Sequence, residues 1–187
     1  GEGVSPAWLG RRVWCYGAQT YRPFGTAAEY TVVPHHQVSP LPDNVPLEQG
    51  ACLGIPAITA HRAVHVAGPI NGRVVLVQGG AGAVGVCAVQ LAKQAGARVI
   101  ATCRAEGDMR VASRAGADEV VVADERAVER IRALAPEGVH HIVEVALDAN
   151  VETDVAVLAQ GGSITTFGCR RSGSAGHPHR RRRDTAE

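Results

Sequence analysis

The stretch Val74-Val75-Leu76-Val77-Gln78-Gly79-Gly80-Ala81-Gly82-Ala83-Val84-Gly85 decides the fold. Its first four residues form a continuous apolar run, the pattern of a strand buried on both faces. Gly80, Gly82 and Gly85 satisfy G-x-G-x-x-G. Val84, Ala88, Leu91 and Ala95 then recur at intervals of three or four, which predicts a helix over 83–95, stopped by Gly96. A strand feeding a glycine turn and then a helix is the setting in which this fingerprint is informative. The first glycine allows the tight turn, the second lets the backbone approach a pyrophosphate, and the third lets the helix pack closely on the strand. The helix N-terminus then presents N–H groups and a positive dipole end to phosphates. The competing reading is a glycine-rich turn that binds nothing.

Downstream of this unit the pattern stays regular. Strands are expected at 98–102, 119–122, 141–145 and 163–167. Helices are expected at 107–115, 124–134 and 150–158. Strands that alternate with helices imply parallel β-α-β units and a doubly wound α/β sheet of the Rossmann kind. Upstream, 1–46 is turn-rich, with short β-like runs at 12–15, 28–33 and 37–41 among Gly and Pro. The stretch 47–67 reads as helical with an interruption at Pro56. The segment 169–187 is rich in Arg, Gly and Ser without apolar periodicity, and is expected to be disordered. The domains expected are therefore 1–46, 47–168 with the dinucleotide fold, and the tail 169–187.

Composition excludes several classes. The 187 residues are 45% hydrophobic and 20% charged with a net charge of +1, close to globular averages. No apolar run approaches the roughly 18 residues of a membrane helix. No secretory leader pattern opens the sequence. Five cysteines without C-x-x-C pairing (Cys15, Cys52, Cys87, Cys103 and Cys169) suit reduced thiols and a cytoplasmic location. The chain holds 18 Arg against the single Lys93, a skew read first as GC-rich codon usage. Six of those Arg lie in 169–187 against Asp184 and Glu187, so that segment is +4 and the other 168 residues sum to −3. The body therefore lacks the electrostatic footprint of a nucleic-acid binder.

The end of the second strand bears on the cofactor. An NAD enzyme usually places a carboxylate there, about 20 residues past the glycines, on the ribose 2′-OH. Here the order is Ala101-Thr102-Cys103-Arg104, with no carboxylate before Glu106. Arg104 would attract a 2′-phosphate, so NADP(H) is the expected cofactor.

Gly25-Thr26-Ala27-Ala28-Glu29-Tyr30, Gly54-Ile55-Pro56-Ala57-Ile58-Thr59-Ala60, the Gly80 loop, Ala115-Gly116-Ala117-Asp118 and Gly161-Gly162-Ser163 stand in an order that resembles the medium-chain dehydrogenase/reductase superfamily. The run from Val143 through Val151 resembles its zinc-free quinone oxidoreductase, or zeta-crystallin-like, branch. The resemblance covers 2–168. It implies that 1–46 is part of a GroES-like catalytic domain, and that NADPH binds in the cleft between the two domains. A whole member of about 320 residues fits two domains, so this chain would lack the first part of the catalytic domain and the last Rossmann strand. A truncated or frameshifted reading frame would explain that, and nothing in the family resembles the Arg-rich tail.

The resemblance carries cofactor contacts to Gly80, Ala81, Gly82, Ala83, Val84 and Gly85, to Arg104, to the segment Asp148-Ala149-Asn150, and to Thr165, Thr166, Phe167 and Gly168 beside the nicotinamide. Thr59 matches a threonine that faces the same pocket. Two positions depart from the family: Asp108 stands where Lys is frequent and Ala123 where Tyr is frequent, and both departures weaken the NADPH preference. Ile55 occupies the segment where zinc-dependent relatives place a ligand Cys, and no four-cysteine lobe is present, so no metal is expected. Cys87 is expected to serve as packing, and Cys103 to be reactive if exposed. No catalytic residue is legible in this stretch. The activity implied is hydride transfer from NADPH to a quinone or another electron-poor enone. The alternatives are a dinucleotide-binding module without turnover and an enoyl reductase of a biosynthetic pathway. A homodimer through the edge of the fifth Rossmann strand, or aggregation, is expected, because that edge would lie bare.

Overall fold

The structure, a computed structural model, describes residues 1–20 and 25–168. The Arg-rich segment 169–187, including Cys169, lies outside the described residues. A five-stranded parallel sheet dominates: β3 (Val74–Val77), β4 (Arg98–Cys103), β5 (Glu119–Val122), β6 (Val139–Glu144) and β7 (Leu158–Thr166), in the order β5-β4-β3-β6-β7. Helices α3 (Ala83–Gln94), α4 (Glu106–Ala115), α5 (Ala127–Leu134) and α6 (Leu147–Val157) make the crossovers. This is the doubly wound Rossmann arrangement that the alternating pattern predicts.

The sheet is apolar on both faces because helices cover both. Val75 and Val77 of β3, with Val99 and Ala101 of β4, pack under α3 and α2 (Gly54–His65). Leu76, Ile100, Val121 and Ile142 point the other way, onto Ala127 and Ile131 of α5 and Val157 of α6. The alternation along β3 follows from the two-residue period of a strand. His141 is buried on β6, with Nε2 at 2.8 Å from the Ala63 carbonyl and Nδ1 at 2.7 Å from Ser163 Oγ. The carbonyl can only accept, so Nε2 carries the proton and Ser163 donates to Nδ1. Burial lowers its pKa. His141 thus pins α2 to β7 as a neutral imidazole.

Several boundaries differ from the sequence reading, each for a physical reason. Among the described residues the run 28–33 joins neither sheet: the antiparallel pair in this region is β1 (Val13–Cys15) with β2 (Val38–Pro40). Tyr30 and Val32 are 89% and 86% exposed. The helical stretch is broken at Cys52-Leu53, not at Pro56, giving α1 (Leu47–Ala51) and then α2. Pro56 is the third residue of α2, where the missing N–H has no intrahelical acceptor to lose. Asp124 does not open α5; its Oδ1 accepts from the Arg126 amide at 2.9 Å in a turn before the helix. Helix α6 begins three residues before Asn150. Strand β7 begins at Leu158, which pairs Val139 before an irregularity that places Ser163 against His141. Five steps on β7 thus face two on β6, and Gly161, at φ +75°, sits in the bulge.

Ala115-Gly116-Ala117-Asp118 has a structural role. Gly116 ends α4 with φ +107°, and the Asp118 carboxylate bridges Lys93 Nζ at 2.7 Å and the Val99 amide at 2.7 Å. One residue thereby ties α3, β4 and the entry to β5. Among the described residues no helix is long and apolar enough to cross a membrane.

The glycines offer a direct test of this packing. A β-carbon at Gly85 would lie 2.1 Å from the Gly79 carbonyl oxygen, whereas one at Gly107 meets nothing within 4 Å. Gly85→Ala is expected to destabilise the fold by about 2 kcal/mol or more, through a backbone clash that no rotamer relieves. Gly107→Ala, on exposed α4, is expected to stabilise it by roughly 0.5 kcal/mol. Urea denaturation of the two variants checks both signs.

Candidate dinucleotide site

All five strands are parallel, so their carboxyl ends gather on one edge of the sheet. Chain order reverses between β3 and β6, where one crossover runs left to β4 and the other returns to β6. The crevice at such a switch point is where ligands of open α/β sheets bind.

The glycine loop stands at that point. Gly79 has φ +67°, so the tight turn is made there, one residue before the G-x-G-x-x-G motif. Gly80 serves a different need from the one expected of it: a β-carbon there would lie 2.7 Å from that of Ala101 on β4. Gly82 is the N-cap of α3, accepts from the Val86 amide at 2.8 Å, and is exposed with Ala83. That bond is the first within the helix, so the Ala83, Val84 and Gly85 amides have no intrahelical acceptor. Small side chains and free amides leave an anion cradle above the end of β3. Ala81 is turned inward; its amide bonds Cys103.

The other expected residues separate into two groups. Thr165 and Thr166 end β7 opposite Val143 and Glu144, and Phe167 packs on the cluster that also holds Ala81 and Val84. The Phe167 amide donates to the Glu144 carbonyl at 3.2 Å. Gly168 is held so near β6 that a β-carbon would lie 2.1 Å from the Val145 carbonyl oxygen. These residues therefore share the carboxyl edge with the glycine loop. Arg104 follows β4 at the same edge, exposed and without an ion pair among the described residues. Thr59 is half-buried on α2. Asn150 is turned inward: its Nδ2 donates to Glu144 Oε1 at 2.9 Å and Oε2 at 3.2 Å.

Cys103 is 2% exposed, and burial, then the nearby Asp108 charge, push its thiol up. The reactive role considered for it does not fit a protonated, enclosed sulfur. Cys87 is half-buried against the same cluster, and burial raises its thiol too. Among the described residues no group of three His, Cys, Asp or Glu side chains could hold a metal.

Sequence reasoning missed a buried polar chain beneath the loop. The Gly79 amide donates to Thr102 Oγ1 at 3.2 Å, and Thr102 donates to Gln78 Oε1 at 2.5 Å. Gln78 Nε2 donates to Asp154 Oδ1 at 2.8 Å. Asp154 adjoins Glu144, which accepts from the Ala146 amide and Asn150. Gln78, Thr102, Glu144 and Asp154 are all buried. The signal was present: three apolar strands each carry a polar residue at their carboxyl end, and Asn150 and Asp154 are four apart on one helix face.

Comparison with known proteins agrees with this architecture. The profile of the family described as zinc-binding dehydrogenase matches residues 83–180, just over half of the chain. That match runs 12 residues past Gly168, into the Arg-rich segment that the sequence reading set outside the family. The rat quinone oxidoreductase is 35% identical over 175 residues, covering 92% of this chain and 52% of its own. The chain thus spans about half the length of the curated relatives it matches. A Thermus thermophilus quinone oxidoreductase, solved alone and with NADPH, superposes with a TM-score of 0.75 at 32% identity over 86% of this chain and 50% of that one. The JamJ enoyl reductase superposes with a TM-score of 0.66 at 27% identity, over 74% and 42%. Switch point, glycine turn and shared sequence together establish that the chain belongs to the zinc-binding dehydrogenase family, within the quinone oxidoreductase-like medium-chain dehydrogenase/reductases.

Proposed function

We propose that this chain binds NADP(H) at the β3–β6 crevice and carries the cofactor half of a zinc-independent reductase acting on a quinone or another electron-poor enone. The observation that carries this reading is the cradle formed by Gly79 through Gly85 beside an unpaired Arg104. The Ala83, Val84 and Gly85 amides would receive the pyrophosphate, with the α3 dipole adding to the attraction. Arg104 would hold the 2′-phosphate through charge-assisted hydrogen bonds. The Thr165–Gly168 turn would orient the nicotinamide, and Phe167 beneath it would exclude water. When bound, NADPH supplies the hydride; the protein's part is to hold it against the acceptor.

Domains 1–46 and 47–168, a cytoplasmic setting and a homodimer through β7 belong to the same proposal. Among the described residues β7 pairs only with β6, which supports association at its other edge. A monodisperse monomer in sedimentation would overturn that part. The likeness to the JamJ enoyl reductase favours a second reading, in which the acceptor is an enoyl thioester. The chain's half-length match to its relatives favours a third, a module that binds dinucleotide without turnover.

Fluorescence titration with NADPH and NADH tests the central reading. NADPH is expected to bind more tightly, and Arg104→Gln to weaken NADPH roughly tenfold while leaving NADH nearly unchanged. Equal loss for both nucleotides, or binding of neither, would overturn it. Turnover with a quinone, an enoyl thioester or neither then separates the three readings.

A further inference from the structure

Two carboxyl groups lie in the interior beside the glycine loop, and hydride transfer assigns no role to either. Glu144 ends β6 and Asp154 sits on α6; both are 0% exposed. Asp154 Oδ1 accepts from Gln78, but its buried Oδ2 has no N–H or O–H donor. The carboxyl beside it is Glu144, within hydrogen-bonding reach. Glu144 already accepts from the Ala146 amide and from Asn150 Nδ2.

Among the described residues no cation relieves the pair. Burial, Gln78 and Glu144 are what act on Asp154. β3 and β4 present neutral Gln78 and Thr102, and β7 presents neutral Thr166 opposite Glu144. On α5 and the turn before it, Arg126 bonds Glu129, Arg130 bonds Asp124, and Arg132 bonds the Ala156 carbonyl. Asp148 is exposed on the first turn of α6. Two carboxylates in contact, away from water and from any cation, do not both ionise near neutrality. A single proton turns the orphaned Oδ2 into a donor toward Glu144 and satisfies both groups.

We propose that Glu144 and Asp154 share one buried proton and act as positioning residues that clasp the glycine loop to the β6–α6 turn, preforming the dinucleotide crevice. The clasp runs from the Gly79 amide through Thr102, Gln78, Asp154 and Glu144 to Asn150, spanning the switch point. Loss of the proton sets two negative charges against each other in its middle and strains both ends. Burial, reinforced by Glu144, pushes Asp154 up to about 7, so that loss falls in the physiological range. The proposal rests on the dinucleotide reading above.

Two variants of the full chain test it. Asp154→Asn keeps an acceptor for Gln78 and a permanent donor for Glu144, so it mimics the protonated pair. Glu144→Gln keeps an oxygen for the Ala146 and Asn150 donors and offers its N–H₂ to the orphaned Asp154 Oδ2, so it too fixes the clasp without a shared proton. The first measurement uses no cofactor. The folded state holds the proton more tightly than an unfolded Asp near 3.8, so wild-type stability relative to Asp154→Asn falls as pH rises from about 4 to about 7. The difference between the two chains removes His141, whose lowered pKa gives the opposite slope. An infrared carboxylic-acid band, lost at alkaline pH and absent from Asp154→Asn, would report the same proton.

The second measurement is NADPH affinity against pH. The wild-type Kd should rise roughly tenfold relative to both variants between about pH 6 and about pH 8.5, while the two variants stay parallel to each other. Titration of the 2′-phosphate itself affects all chains alike. Stability differences flat in pH, without the infrared band, would overturn the shared proton and leave the dinucleotide reading intact. A sloping stability difference with parallel affinity profiles would make the pair purely structural and overturn the positioning role. Failure of every chain to bind NADPH would sink the dinucleotide reading and the positioning role together.

Discussion

The structure depends on a contact that leaves no room for a side chain on the glycine loop. Helix α3 leaves the end of β3 so closely that Gly85 packs directly on the Gly79 carbonyl and Gly80 on Ala101. This approach sets the angle at which α3 lies on the sheet, and hence which of its residues face Val75, Val77 and Ala60. It also brings the first α3 amides over the carboxyl edge. A single methyl at Gly85 would have to push helix from strand, so packing and phosphate cradle are one constraint.

The sheet below divides its chemistry by position. Its middle is apolar on both faces, which suits strands covered by helices on each side. Its carboxyl edge holds Gln78 just past β3, Thr102 next to the end of β4 and Glu144 at the end of β6. Burying such groups unpaired would cost on the order of 1–3 kcal/mol each. The hydrogen bonds among them, Asp154 and the Gly79 amide remove most of that cost and make the loop and α6 mutually dependent. A wholly apolar edge would fold as well but would leave the Gly79 turn free to choose among conformations.

Local pattern revealed the Rossmann half readily because each of its elements announces itself. Val74 through Val77 can only be a doubly covered strand, and Gly96 and Gly116 stop helices at positive φ. The small sheet was harder. The run 28–33 alternates as well as 37–41 does, and local pattern does not tell which of them pairs with β1. Pro56 misled because a proline ends a helix or begins one, depending on where the first turn falls. In the site, the glycines and Arg104 were legible as types at known spacing. The Glu144–Asp154 pair was not, since adjacency across ten residues arises from α6 folding back on β6.

The cofactor corner shows why magnitude matters there. Arg104 is exposed and without an ion pair among the described residues, but Glu106 and Asp108 follow in the first turn of α4, where carboxylates suit the helix dipole. Asp108 also acts on Cys103, so its charge faces the strand end rather than open solvent alone. The corner thus combines one cation at the site of the proposed 2′-phosphate with two anions further along the helix. Exposed charges in water interact by roughly 0–1 kcal/mol and are screened within about 10 Å, so distance decides. Arg104 adjoins the end of β4, while the carboxylates lie on the following turn. On the proposed reading Arg104 would set the sign of the preference, and Glu106 and Asp108 its limit.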